Sequence, residues 1–194
     1  HDVWDYDVPA QPTLIDLPIG GTVRKALISP GKRGEIFVLD RATGQPILPV
    51  EERLVPTMGA APGERLSRTQ PFSTGMPSFR GADLIESDMW GLTPLDQLWC
   101  RIKFEQSRYD GPLTPPGLTP WIEAPGTVGG TNWGGVSIDP ERMLLIANVN
   151  RIPYRGQLLT RKQTDAMGIF PLPDVSSGIG ARNPQGKTPF GALM

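Results

Sequence analysis

Residues 24 to 44 read Arg24-Lys25-Ala26-Leu27-Ile28-Ser29-Pro30-Gly31-Lys32-Arg33-Gly34-Glu35-Ile36-Phe37-Val38-Leu39-Asp40-Arg41-Ala42-Thr43-Gly44, and the fold follows from how this stretch is punctuated. Two short apolar runs, 24–29 and 35–40, flank Pro30-Gly31-Lys32-Arg33-Gly34, which has the composition of a hairpin connection. Arg41-Ala42-Thr43-Gly44 makes the next turn. The expectation is a pair of neighbouring strands with Lys32 in the turn between them.

The pattern recurs in residues 135 to 148, where Gly135-Val136-Ser137-Ile138-Asp139-Pro140 and Met143-Leu144-Leu145-Ile146-Ala147-Asn148 give strand, Asp-Pro turn, strand. A strand, a glycine-containing turn, a second strand ending in Leu-Asp and then Thr-Gly is the rhythm of a propeller blade. The two units lie about a hundred residues apart, which implies large insertions between blade strands. One insertion carries Leu95, Leu98, Trp99, Ile102 and Phe104 at near-helical spacing behind Thr93-Pro94, a cap and a first-turn proline, and this predicts a helix over 94–107. Residues 160–167 predict a short helix with Thr160 as N-cap. Stretches 45–81 and 110–131 read as ordered loops and short strands, and from Pro171 onward as a loop leading toward a blade that is not present.

Composition narrows the class of function. The chain has 194 residues, 38% of them hydrophobic, enough for a domain with a sizeable core. Its 23 glycines and 22 prolines follow no collagen period and suit a loop-rich all-β fold. A net charge of −1 with both signs interspersed offers no basic stripe for nucleic acid and no cationic face for anionic lipid. Cys100 is the only cysteine, which excludes an internal disulfide and a cysteine-based zinc site. There is no apolar run long enough to span a bilayer and no signal-peptide pattern, and the chain enters a dense motif at His1, so it reads as the middle of a longer polypeptide. Two glycine-rich stretches, Gly126-Thr127-Val128-Gly129-Gly130 and Gly178-Ile179-Gly180, match neither a P-loop nor a dinucleotide fingerprint.

Three sites carry residues suited to chemistry. Trp4-Asp5-Tyr6-Asp7-Val8-Pro9-Ala10-Gln11-Pro12 places two carboxylates before the first predicted strand, Lys32 stands in the hairpin turn, and Asn148, in Leu145-Ile146-Ala147-Asn148-Val149-Asn150, ends an apolar strand. Each also has an ordinary structural reading. Asp5 or Asp7 can cap a turn, Lys32 can be a solvated turn lysine like its neighbour Arg33, and a strand-terminal Asn is a common turn residue, with Asn150 an equal choice. Trp133, beside Gly134 and Gly135, suits packing between blades as well as a ligand contact, while Trp90, Trp99 and Trp121 are assigned to core or loop packing.

Taken in order, the Trp4–Leu14 segment, the Lys32 strand, Thr69-Gln70-Pro71-Phe72, Asp88-Met89-Trp90-Gly91, Arg108-Tyr109-Asp110-Gly111, Thr114-Pro115-Pro116 and Trp133-Gly134-Gly135 resemble the membrane-bound quinoprotein dehydrogenases of the glucose, polyol and quinate type. The resemblance implies an all-β chain contributing two to three blades to an eight-bladed β-propeller, with residues 1–194 forming a partial propeller domain. It implies pyrroloquinoline quinone (PQQ) and a divalent metal, Ca2+ or Mg2+, as cofactors, and oxidation of a sugar, polyol or cyclic hydroxy acid. Asp5 then corresponds to the catalytic base lying close to the metal, Lys32 and Asn148 to cofactor contacts, and Trp133 to a further cofactor-side residue. The resemblance also implies ubiquinone as electron acceptor, location on the periplasmic face of the bacterial inner membrane, and a membrane anchor absent from this chain. The family's cofactor-stacking tryptophan and other metal ligands match nothing here.

A second expectation from a different class is a non-catalytic propeller segment with a structural or partner-binding role. By itself the chain is expected to be inactive, because unpaired blade edges would be exposed. Segment 149–170, with Arg151, Tyr154, Arg155 and Arg161, matches no rule, and its arginines keep a carboxylate substrate such as quinate open beside glucose and the polyols, since guanidinium pairs bidentately with carboxylates. His1, the only histidine, is left with a substrate or structural role.

Overall fold

A computed structural model describes residues 3–168, so His1, the segment from Pro171 and Gly178-Ile179-Gly180 lie outside the described residues. The first sheet is built on the stretch that opens the chain's pattern. Strands β1 (Thr13–Ile19), β2 (Thr22–Pro30) and β3 (Ile36–Asp40) pair antiparallel in the order β1-β2-β3. Gly20 and Gly21, with φ of 58° and 78°, close the β1–β2 hairpin, since both central residues of such a two-residue turn need positive φ. β1 is the strand that the apolar runs did not signal: Asp16 and Pro18 interrupt its pattern, and pairing with β2 makes it a strand.

Alternation along the strands sets the core. Ile15 lies opposite Ala26, Ile28 opposite Val38 and Pro30 opposite Ile36, so one face of the sheet is a continuous apolar surface. Ala26, Ile36 and Val38 are exposed by 2% or less. Strand β4 (Val50–Leu54) pairs with β5 (Thr69–Ser73). Helix α1 (Pro94–Glu105) begins where the sequence predicts, with Thr93 accepting from the Asp96 amide and the Asp96 carboxylate accepting from the Thr93 amide in a capping box. Its apolar stripe faces outward: Leu95, Leu98, Trp99 and Ile102 are exposed, and Cys100 is the helix residue that is buried, its thiol pushed up in pKa by that burial.

Strand β6 (Trp121–Glu123) is buried throughout and pairs with β9 (Tyr154–Gly156), while β7 (Val136–Asp139) pairs with β8 (Leu144–Ala147). Val136, Ile138 and Leu145 pack against the core of the first sheet. Helix α2 (Arg161–Ala166) has the expected Thr160 cap. The two strand-ending aspartates do one job: Asp40 Oδ1 accepts from the amides of Ala42 and Thr43 at 3.0 Å, and Asp139 Oδ1 accepts from Glu141 and Arg142 at 3.0 Å. Both are turn-forming carboxylates that pull the chain round after a strand. Of the tryptophans assigned to packing, Trp121 is buried, whereas Trp90 and Trp99 stand about half exposed.

Candidate active site

Antiparallel pairing of β1 with β2 puts Thr13 opposite Ile28, so the segment before β1 and the loop after β2 emerge at the same end of the sheet. That places Asp5 and Lys32 together although they are 27 residues apart. Along residues 4–7 the side chains alternate. Trp4 is buried and its indole N–H donates to the Thr114 carbonyl at 2.9 Å; the Tyr6 hydroxyl is shared between the carbonyls of Pro125 (2.6 Å) and Pro112 (3.1 Å). Burial, with the nearby Glu123 carboxylate, drives the Tyr6 hydroxyl far above its ordinary pKa, so it acts as a neutral tether. With the aromatics pinned inward, Asp5 and Asp7 project to the other side.

There they share one cation. Lys32 Nζ stands 2.6 Å from Asp7 Oδ1 and 3.0 Å from Asp5 Oδ1. The lysine side chain is only 12% exposed, while the aspartates are more than half exposed. Burial works against the ammonium, but hydrogen bonds to Asp7 and Asp5 outweigh it and raise its pKa above the ordinary lysine value. The bond from Lys32 in turn holds the Asp7 carboxyl below the usual carboxylate range. One ammonium between two open carboxylates leaves the group net negative, with solvent-facing oxygens that can accept hydrogen bonds and a fixed N–H donor beside them.

Arg33 departs from the sequence reading. It is not a solvated turn cation: its guanidinium pairs with the buried Glu35 carboxylate, with Nε at 3.0 Å from Oε2, donates to the Pro71 carbonyl and lies 4.6 Å above the Phe72 ring. Neighbouring cations in one turn therefore divide the work, Arg33 pinning the loop and Lys32 facing the carboxylates. Trp4, Tyr6, Arg33 and Phe37 border a cleft of about 150 Å³ that Asp5, Asp7 and Lys32 do not line.

A second cleft, of about 180 Å³, opens on the far side of the lysine loop and is bordered by Gly129, Gly130, Asn132, Gly134, Asn148 and Asn150 among others. Asn148 lines it, as expected of a ligand contact, but its side chain is exposed rather than buried, because β8 ends at Ala147 and leaves Asn148 at the surface. Trp133 is 84% exposed and covers neither glycine beside it, so the expected packing between blades is not made within the described residues. Gly129 joins the two halves of the site: it borders this cleft and touches the Lys32 stem.

Comparison with known proteins shows the family of the chain. The family model described as the glucose/ethanol/alcohol dehydrogenase β-propeller domain, PQQ, matches residues 1–193. The chain belongs to that family. It is 51% identical over its whole length to the glycerol dehydrogenase large subunit of Gluconobacter oxydans (strain 621H), covering 27% of that protein. It is 42% identical to the quinoprotein glucose dehydrogenase of Escherichia coli (strain K12), spanning all of this chain and 24% of the relative. With the quinate/shikimate dehydrogenase (quinone) of Acinetobacter baylyi it shares 43% identity over 85% of the chain and 20% of that protein. The chain thus spans about a quarter of the length of the curated relatives it matches. The expected fold class, a piece of an all-β propeller with loops and a short helical insertion, and membership of the quinoprotein dehydrogenases both hold.

Family membership implies PQQ, and the polar groups fit one side of it. An anionic, oxygen-rich quinone calls for N–H donors, and the Lys32 ammonium and the amides bordering the second cleft are donors of that kind. At about 180 Å³ the cleft is below the ~300 Å³ at which small-molecule pockets begin, so these residues form one wall of a site. A metal fits less well. Among the described residues, no group of three or more His, Cys, Asp or Glu could hold an ion; Asp5 and Asp7 supply two carboxylates.

Two contributors escaped the sequence reading. Asp7 makes the shorter bond to Lys32, and the signal was available in the alternation of aromatic and acidic residues along Trp4-Asp5-Tyr6-Asp7. Gly129 was set aside with the other glycines because its partner, Lys32, is 97 residues away in sequence.

Proposed function

We propose that this chain carries the acid–base part of a PQQ-dependent dehydrogenase acting on a sugar, polyol or cyclic hydroxy acid. The observation that carries the proposal is the shared ammonium: Lys32 Nζ at 2.6 and 3.0 Å from two open carboxylates. Asp5 takes the proton of the substrate hydroxyl on a solvent-facing carboxylate oxygen. Lys32 presents a fixed N–H donor to the oxygen on which negative charge accumulates, and Asn148 adds an amide donor from the second cleft. PQQ, when bound, supplies the two-electron acceptor for the substrate hydride. Trp133, exposed and flanked in sequence by the cleft residues Asn132 and Gly134, is the aromatic offered to a bound cofactor. Ca2+ or Mg2+ belongs to this reading with Asp5 as one ligand only, and no step is derived through it. Transfer of electrons to ubiquinone, a position on the periplasmic face of the inner membrane and an anchor outside this chain belong to the same proposal and rest on the motif resemblance of the sequence alone.

Each of the three arginines of the 149–170 segment makes a contact of its own: Arg151 Nε donates to the Phe79 carbonyl, Arg155 Nε donates to Ser107 Oγ, and Arg161 pairs with Asp165 within α2. They are not gathered on one another, so the proposal keeps quinate, glucose and the polyols side by side.

The test is dye-linked oxidation by the full-length protein, reconstituted with PQQ and Ca2+, across glucose, glycerol, inositol, quinate and shikimate. Oxidation of one substrate is expected, with Asp5→Asn lowering kcat by at least about 100-fold, the scale of a lost general base, while PQQ still binds. Silence on all five, with no PQQ bound, would favour a propeller that retains the scaffold without the chemistry. Turnover of Asp5→Asn at the parent rate would remove Asp5 from the role of base.

A further inference from the structure

We infer that Gly129, Gly130 and Thr131 form a positioning device for Lys32, an inference that rests on the reading of Lys32 as a PQQ contact. The turn that carries Lys32 is held from outside by a loop about a hundred residues away in sequence. The Gly130 N–H donates to the Lys32 carbonyl at 2.5 Å, and the Thr131 hydroxyl donates to the Gly31 carbonyl at 2.8 Å. Thr131 is 2% exposed. Gly129 has φ of +81°, and a Cβ on it would stand 2.6 Å from Lys32 Cγ, 2.7 Å from its Cβ and 2.8 Å from its Cα. A Cβ on Gly130 would stand 2.6 Å from Gly34 Cα. Backbone is thus pressed flat against the stem of the lysine, which explains how a turn residue on the rim of the sheet comes to be only 12% exposed.

A lysine stem free in solvent samples many rotamers, and ordering it on binding costs affinity. Packing against Gly129 removes that freedom before a ligand arrives and directs Nζ to the Asp5–Asp7 side. The same loop reaches the other candidate cofactor contact, because the Gly130 carbonyl accepts from the Asn150 N–H at 2.9 Å, two residues beyond Asn148. A single peptide, Gly130, therefore ties the lysine turn to the end of the strand that carries the asparagine. The glycines are required by close approach of backbone to backbone and to the lysine stem, rather than by a phosphate.

The experiment is a double-mutant cycle on the full-length apoprotein titrated with PQQ, followed by quenching of tryptophan fluorescence. Gly129→Ala is expected to weaken PQQ binding about tenfold in the parent, and by less than about twofold in a Lys32→Ala background, because a residue acting through the ammonium has nothing left to act through. Thr131→Val keeps shape and removes only the hydroxyl; it is expected to weaken binding about threefold, again only when Lys32 is present, and it serves as the readout if Gly129→Ala does not fold. Parent-like PQQ affinity in Thr131→Val and in any folded Gly129→Ala protein overturns the inference, as does an equal loss with and without Lys32. The underlying reading fails separately: if Lys32→Ala alone binds PQQ as the parent does, Lys32 is not a cofactor contact.

Discussion

The β2–β3 and β7–β8 units are both pairs of antiparallel strands joined by a short turn, yet they are buried to different depths. In β2 and β3 the inward residues Ala26, Ile28, Ile36 and Val38 are exposed by 5% or less, whereas the inward Val136, Ile138 and Leu145 of β7 and β8 are only half-buried and Leu144 and Ile146, on the other face of β8, are 49% and 62% exposed. The difference comes from partners. β2 has a strand on both sides and a covering layer that includes Val136, Ile138 and Leu145, while β7 and β8 have only each other in their sheet. Ionisable groups follow the same division. Lys32 grows from the buried unit and is held by contacts on every side, while Asn148 and Trp133 flank the open unit and stand exposed. A site that must fix a cation does so from the unit with the deeper core.

The comparison can be broken most directly at the buried ion pair. Glu35→Ala leaves the Arg33 guanidinium without its carboxylate at an almost inaccessible position, an expected loss of about 3–5 kcal/mol in chemical denaturation of the full-length protein. A loss below about 1 kcal/mol, the range of exposed pairs, would show that this turn is as loosely held as the β7–β8 unit. Core truncation comes next. Ile28→Ala is expected to cost about 2–5 kcal/mol, as buried isoleucines do, whereas Ile146→Ala, on the open face of β8, should stay within about 0.5 kcal/mol. Equal costs at the two positions would mean that Ile146 is covered in the full-length protein, which is itself informative about a neighbouring blade.

The smallest effect sharpens the comparison through pH. Backbone amides of Thr43 and Ala42 bonded to the Asp40 carboxylate lower its pKa below the ordinary aspartate value. A group whose pKa is lower folded than unfolded contributes stability above its unfolded pKa, and loses it as pH falls through the folded one. The stability difference between the parent and Asp40→Asn should therefore be flat from about pH 5 to pH 8 and shrink on acidification below about pH 4. A difference that grows on acidification would contradict the turn geometry.

Much of the fold was legible because it is local. Thr93-Pro94 and Thr160 start helices through bonds to residues three positions on, and Asp40 and Asp139 turn the chain through bonds to the next two or three amides. The Pro30–Gly34 turn and the strands beside it were visible for the same reason. β1 was not, since its pattern is mixed and its partner makes it a strand; nor was the outward face of α1, because helical spacing reports a stripe without saying what covers it.

At the site, the residue types and the place of Lys32 in a turn between two strands were set out in the sequence, and with them the family. Tertiary structure alone decided that Asp7 rather than Asp5 makes the shorter bond to Lys32, that Arg33 belongs to Glu35, and that Gly129 backs the lysine stem. The physical reason is the range of the interactions. Turns, caps and alternation are settled by neighbours a few residues apart, while a shared ammonium between residues 5, 7 and 32, backed by residue 129, exists only once the chain has closed on itself and excluded water from the lysine stem.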